Sequence, residues 1–293
     1  MSGALKEVRN RIKSVQSTQQ ITKAMKMVSA AKLRRAQDAI IQMRPYAQKL
    51  QEMLGNIVGN AEGDINIALA KERHVEKVLI IVITSDRGLC GGYNSNLIKL
   101  AKQDIKEKYA GPFAKGNVTI LPLGKRGYEH FVKNKYKVID RYWEIFSDLS
   151  FENVTAAAKY ALDAFSKGEV DAVDLIYSEF KNAATQKFIA EQFLPVKKSA
   201  PEKGNTKADF IFEPGKEVLL QELMPKILNT QLYKAILDAN ASEHGARMTA
   251  MDKATDNAQE LLKSLKISYN RARQAAITTE LTEIVSGAAA LQG

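Results

Sequence analysis

Apolar and small residues recur in alternating steps of three and four from Leu5 to Ile57. The frame runs Leu5, Val8, Ile12, Val15, then Gln19, Thr22, Lys26, Ser29, then Leu33, Ala36, Ile40, Met43, Ala47, Leu50, Leu54, Ile57. A stripe repeating every 3.5 residues is the seam of a coiled coil. The stretch is rich in Ala, Lys, Arg, Gln and Met, all good helix formers. It holds one proline, Pro45, and no glycine between Gly3 and Gly55. A helix of that span is roughly 80 Å long at 1.5 Å per residue, more than a globular domain buries. The helix is therefore expected to project, and it needs a second long helix as its seam partner. Between Gln19 and Ser29 the seam turns polar, while Ile21, Met25 and Val28 fall off the stripe and are expected to point away from the partner. Two readings of that patch stand side by side: a register shift, or a surface for something outside the chain.

The partner is expected at the other end. From Lys216 to Ala290 the only proline is Pro225. A stripe of small and apolar residues runs Ala246, Ala250, Ala254, Ala258, Leu261, Leu265, Tyr269, Ala272, Ala276. Alanines there let two helix axes approach closely. Past Ala276 a fresh apolar face begins with Ile277, Leu281, Ile284, Val285 and Ala288. Chain ends normally fray in water, so an apolar end is expected to be buried or held by another protein.

The middle follows a different period. Lys77–Thr84 (KVLIIVIT), Val118–Leu123, Ala172–Phe180 and Gln186–Pro195 read as strands. Asn94–Tyr109 and Val154–Phe165 read as amphipathic helices between them. Strands alternating with helices predict an α/β, Rossmann-like sheet domain. Lys197–Ala208 reads as a polar linker. The predicted plan is α/β plus coiled coil: a helix over 1–60, an α/β domain over 75–200, and a helix over 209–293 that pairs antiparallel with the first.

The charge and the chemistry narrow the function. The chain carries a formal charge of +10, and residues 1–59 alone hold eleven Lys or Arg against three Asp or Glu. Residues 216–293 hold nine of each. One charged arm is either a solvated helix face or a surface for an acidic partner. Nucleic acid or an anionic membrane is a rival partner for Lys23, Lys26, Lys32, Arg34 and Arg35. Yet no aromatic residue interrupts positions 1–45, and no helix-turn-helix or zinc-finger spacing occurs. A single cysteine, Cys90, excludes an internal disulfide, and His74, His130 and His244 lack ligand spacing. No apolar run approaches the roughly 18 to 20 residues of a membrane span. Met1–Arg11 has Lys6, Arg9 and Arg11 but no apolar core, so no secretory signal is expected.

The one glycine-rich turn is Ser85–Tyr93 (SDRGLCGGY), directly after the first predicted strand. Such a turn could cradle a phosphate at a helix start, with Asp86 and Arg87 beside it, or simply pack the helix onto the sheet. It is neither GxGxxG nor a P-loop. Cys90 has no nearby His to make it a nucleophile. Glu280 and Glu283 lie one helical turn apart, where solvation or a partner's arginine suits them better than catalysis. No constellation satisfies the roles of an enzyme site, and no cofactor is expected.

The two ends carry a resemblance. Gly3–Arg35 reads GALKEVRNRIKSVQSTQQITKAMKMVSAAKLRR, and Ala241–Ala290 ends in AAITTELTEIVSGAAA. Together they resemble the gamma subunits of bacterial-type rotary ATP synthases. Ile277, Thr278, Glu280, Glu283, Gly287 and Ala288 fill that family's terminal signature, and SDRGLCGGYN extends the likeness to the middle. The resemblance implies a non-catalytic central shaft within three alpha and three beta subunits. That shaft turns with the c-ring of the membrane sector and contacts the epsilon subunit, on the cytoplasmic face of the bacterial inner membrane. By the same resemblance, Met25 and Lys26 face the moving lower part of a beta subunit, and Arg273, Gln274 and Thr278 meet a beta-subunit loop. Phe210, Phe212 and Glu213 resemble the foot that touches the c-ring and epsilon. No cysteine pair is present for a thiol switch of the chloroplast kind.

Overall fold

The computed structural model describes residues 3–59, 69, 71–183, 185–196 and 216–292. The Lys197–Ala208 linker and the foot residues Phe210, Phe212 and Glu213 lie outside the described residues. The chain divides into two compact units, Met1–Ser29 with Arg247–Gly293, and Ala30–Ala246.

Two long helices bound the chain in sequence. α1 spans Gly3–Gly59 and runs through Pro45. α6 spans Lys216–Gln292 and runs through Pro225. In the first unit they pair antiparallel: Thr255 donates its hydroxyl to Thr22 Oγ1 at 2.8 Å, and Lys26 forms an ion pair with Asp252. The α1 seam falls where the heptad frame predicts. Leu5, Thr22, Ser29, Leu33, Ala36, Ile40 and Leu50 are buried, and Val8, Ile12, Val15, Gln19 and Lys26 are half-buried. The side chains of Leu54 and Ile57 lie outside the described residues.

The α6 seam departs from the predicted stripe on both sides of Ala258: Met251 and Thr255 stand in place of Ala250 and Ala254, and Leu262 in place of Leu261. Leu262 is buried and Leu261 is 40% exposed, the reverse of the predicted stripe. The observed order is Met251, Thr255, Ala258, Leu262, Leu265, Tyr269, Ala272, Ala276, again in steps of four and three. A step of four after Ala258 keeps the stripe from drifting off the seam, whereas a step of three there comes too early.

The second unit is built on a five-stranded sheet in the order β3-β2-β1-β4-β5. Its strands are β1 (Val78–Ile83), β2 (Val118–Leu123), β3 (Lys137–Val138), β4 (Ala172–Phe180) and β5 (Gln186–Leu194). The first four are parallel, and β5 closes the edge antiparallel to β4. All six residues of β1 (VLIIVI) are buried, as a central parallel strand covered on both faces must be. Leu79, Ile81 and Ile83 face one layer with α5 (Phe151–Ser166) and Met224 to Ala239 of α6. Val78, Ile80 and Val82 face the other, with α2 (Tyr93–Lys108), Phe131 and Ala246. Two short helices complete the domain, α3 (Ala110–Ala114) and α4 (Lys125–Lys133). With β3, these are the elements the sequence pattern did not announce.

Candidate functional site

The turn after β1 is consumed by its own structure. Ser85 donates its backbone N–H to Asn94 Oδ1 at 3.0 Å, and the Ser85 hydroxyl lies 2.8 Å from Arg87 O. Asn94, in the first turn of α2, also contacts Cys90 Sγ at 3.3 Å. Asp86 accepts the backbone N–H of Lys125 at 3.0 Å, so its carboxylate caps the start of α4. Cys90 is buried, as a small packing residue is. The turn packs α2 and α4 onto the sheet, and it offers Asp86 and Cys90 to the domain rather than to a substrate.

An open α/β sheet takes its ligand outside the carboxyl ends of its strands, where the strand order reverses. Here that place, between the ends of β1 and β4, holds α6. Tyr93 donates its phenol to Ala239 O at 2.9 Å, and Ser242 donates its hydroxyl to Ser178 O at 3.3 Å. A Cβ on Gly245 would lie 3.1 Å from Ala183 O, a tight contact that glycine avoids where the helix passes. Burial beneath α6 pushes the Tyr93 phenol well above its usual range, with Glu243 and Cys90 adding to the shift. The phosphate-cradling reading of the Ser85–Tyr93 turn loses its crevice to the chain's own helix.

Two exposed apolar helix faces lie in the first unit. On α1, Ile21, Met27 and Val28 are each more than half exposed. Met25 is half-buried, so it borders this patch instead of crowning it, and Met27 joins although the sequence reading passed over it. Met27 also falls off the heptad frame, and that signal could have found it. Lys26 lies on the seam side, with its ammonium engaged by Asp252. That pair fixes register, and both side chains keep solvent contact.

On α6, Arg273, Gln274 and Thr278 are exposed, and Thr278 returns its hydroxyl to Gln274 O at 3.0 Å. Ile277, Leu281, Ile284 and Val285 are 47% to 66% exposed. The register explains why. Thr22 opposite Thr255 and Lys26 opposite Asp252 place Gly3 near Gln274, so among the described residues α1 does not reach the side chains beyond. A Cβ on Gly287 would meet nothing within 4 Å. Glycine inside a helix costs about 1 kcal/mol against alanine, and no packing within the chain asks for it here.

The sequence profile of the ATP synthase family matches residues 4–291. The ATP synthase gamma chain of Cytophaga hutchinsonii is 53% identical over 291 residues, covering 98% of this chain and 99% of that one. The chain belongs to the ATP synthase gamma-chain family. The gamma chain of Flavobacterium johnsoniae is 54% identical over 289 residues and covers 99% of both chains. Among solved structures, a chain of the Euglena gracilis mitochondrial ATP synthase, in an assembly of OSCP, F1 and c-ring, matches with a TM-score of 0.67. Its identity is 21%, and the match covers 99% of this chain and 95% of that one. A chain from the central stalk and c-ring of the Tetrahymena thermophila enzyme matches with a TM-score of 0.55 at 23% identity, covering 80% of this chain and 99% of that one. These remote structural matches speak for the fold. Membership of the gamma-chain family leaves the nucleic-acid and membrane-binding reading without support. No described helix is long and apolar enough to cross a membrane.

Proposed function

We propose that the chain is the non-catalytic rotor shaft of a proton-translocating ATP synthase, coupling c-ring rotation to sequential changes at three beta-subunit sites. One observation carries this reading: α6 continues past the start of α1 and presents Ile277, Leu281, Ile284 and Val285 bare. An apolar end of this kind is stable only inside an apolar sleeve, and such a sleeve holds it without directional bonds that rotation would have to break. In this reading Arg273, Gln274 and Thr278 meet a beta-subunit loop just below that end. Met25, with Ile21, Met27 and Val28 around it, meets the moving lower part of a beta subunit. Lys26 serves the same contact through its solvent-facing side while Asp252 holds it in register.

The ring around the shaft is three alpha and three beta subunits. Phe210, Phe212 and Glu213 are proposed as the foot on the c-ring and epsilon subunit, which ties the chain peripherally to the cytoplasmic face of the bacterial inner membrane. The domain division that goes with this role is a helix over 1–60, an α/β domain over 75–200 and a helix over 209–293. No cofactor is assigned to the shaft.

The test is Met25→Lys in the assembled complex. It adds a charge beside an apolar patch, and proton pumping per ATP hydrolysed in membrane vesicles should fall several-fold. Pumping and hydrolysis both equal to the unaltered complex would defeat the reading of this patch.

A further inference from the structure

β4 carries one ionisable residue on the sheet face that packs against α2. Asp174 lies between Ala172 and Ile176 in an otherwise apolar row, and it has no exposed surface. Its neighbours across the strands are Ile80 on β1 and Gln192 on β5, and the Gln192 amide donates elsewhere, to Pro195 O. Above it, α2 supplies Asp104, itself 5% exposed, with Lys108 and Tyr109 one turn on. The Lys108 ammonium lies 2.6 Å from Asp104 Oδ1 and 3.2 Å from Asp174 Oδ2, so it bridges the two carboxyls. Tyr109 donates its phenol to Asp174 Oδ2 at 2.9 Å. The other oxygen of each carboxyl, Asp104 Oδ2 and Asp174 Oδ1, is buried without a donor.

Two carboxylates and one ammonium would leave a net negative charge and two orphan acceptors in a dry interface. Neither is tolerated cheaply. A single proton removes both faults. We propose that Asp104 and Asp174 hold one proton between them in the folded chain, and that this proton fastens the C-terminal end of α2 to the sheet. Asp174 carries it and donates it to Asp104; Lys108 balances the one remaining charge. The groups facing the pair are Lys108 of α2 and Tyr109 at its C-cap, and the strand neighbours of Asp174, Ile80 and Gln192, carry no charge. Burial drives the Asp174 carboxyl up to about 6, with Lys108 opposing and Asp104 reinforcing. The same surroundings raise the Tyr109 phenol, chiefly by burial and then by Asp174.

A carboxyl lifted from 3.8 to about 6 binds its proton more tightly folded than unfolded. Its stabilising effect is complete below pH 4 and is lost as pH rises through about 6. The folding equilibrium should therefore fall about a hundredfold across that window through this group alone. Other buried acids titrate in the same window, so the reading is the difference between the full chain and its Asp174→Asn variant. Urea unfolding from pH 4 to 8 should show that difference changing by about a hundredfold, with Asp104→Asn behaving alike. Infrared spectra of the unaltered full chain minus those of Asp174→Asn should leave a protonated carboxylic C=O at pH 5.5 that is gone at pH 8, the other raised acids, Asp238 and Glu191, cancelling in the subtraction. A constant difference across pH, or no acid C=O signal at pH 5.5, overturns the proposal. If Asp174→Asn does not fold, the same subtraction against Asp104→Asn decides.

Discussion

Gly124 is the position where one methyl group should do most damage. It joins β2 to α4 at φ 121° and ψ 138°, a conformation left almost entirely to glycine. A Cβ there would lie 2.1 Å from Thr84 O and 2.8 Å from Thr84 Oγ1. That is more than roughly 1 Å inside van der Waals contact. Thr84 cannot retreat. Its N–H is bonded to Leu123 O at 2.8 Å, and its hydroxyl accepts Gly127 N–H at 2.8 Å. The backbone conformation costs an alanine about 1–3 kcal/mol. The forced displacement of packed strands adds about 1–3 kcal/mol. Gly124→Ala should therefore cost about 4 kcal/mol. Gly116→Ala is the matched control: φ is 72° but nothing lies within 4 Å, so only the conformational cost of about 1–2 kcal/mol applies. The chain's single tryptophan, Trp143, accepts the Gly124 N–H at 3.1 Å and stacks on Tyr128, so its fluorescence reports this corner directly. Urea unfolding followed at Trp143 should show Gly124→Ala losing about 2 M in midpoint for a slope near 2 kcal/mol/M, and Gly116→Ala less than half of that. Equal midpoints for the two variants would refute the steric account.

Two other perturbations separate competing readings. Leu262→Ala should cost about 2–3 kcal/mol in helix melting, and Leu261→Ala less than about 1 kcal/mol, because only Leu262 is in the seam; the opposite ranking would restore the predicted stripe. Asp238 is 5% exposed and its carboxyl is pushed up to about 6 by burial, with Lys234 and Arg44 opposing and Glu179 and Glu191 reinforcing. A raised acid destabilises above its folded value, so Asp238→Asn should stabilise the chain by up to about 3 kcal/mol at pH 8 and by nothing below pH 4. Stability curves of the two chains that run parallel from pH 4 to 8 would contradict it.

The helices were legible because a seam is a local period. Every position of α1 from Leu5 to Leu50 could be placed by counting threes and fours, including the polar stretch through Thr22 and Ser29. The choice between Leu261 and Leu262 was not legible, because adjacent leucines satisfy both step lengths and only the partner's register decides. β1, β2 and β4 announced themselves by aliphatic runs, and β2 and β4 have the predicted bounds. α4 did not, because KRGYEHFVK is only nine residues long and holds a glycine. Its Gly127 is there for the Thr84 hydroxyl, where a Cβ would come within 2.8 Å of Oγ1, a reason that lies forty-three residues away. β3 is two residues long, too short for any period. The Asp104–Asp174 pair was hidden for the same reason. A lone Asp in a buried strand is a visible anomaly, but its partner sits seventy residues upstream on another element.

The fate of the strand ends shows how a binding fold can serve a mechanical part. A parallel sheet with this strand order leaves a crevice where its connections part, and evolution usually fills it with a ligand. Filling it with the chain's own helix changes what the domain is for. Met224, Leu228, Leu232, Ala235, Ile236 and Ala239 of α6 are buried against one layer, and Ala246 joins the other. Tyr93 and Ser242 add hydrogen bonds along the passage. A helix gripped over six turns cannot turn about its own axis without breaking core contacts, at about 25 cal/mol for each Å² exposed. In the other unit, the Thr22–Thr255 and Lys26–Asp252 pairs oppose slippage, because sliding by one turn would break both pairs at once. Beyond Ala276 neither restraint is found among the described residues. α6 is thus held against rotation where it crosses the sheet, held in register where it meets α1, and bare at its end. Torque can pass along a helix fixed in those two ways, and the bare end is the part free to sit in a bearing.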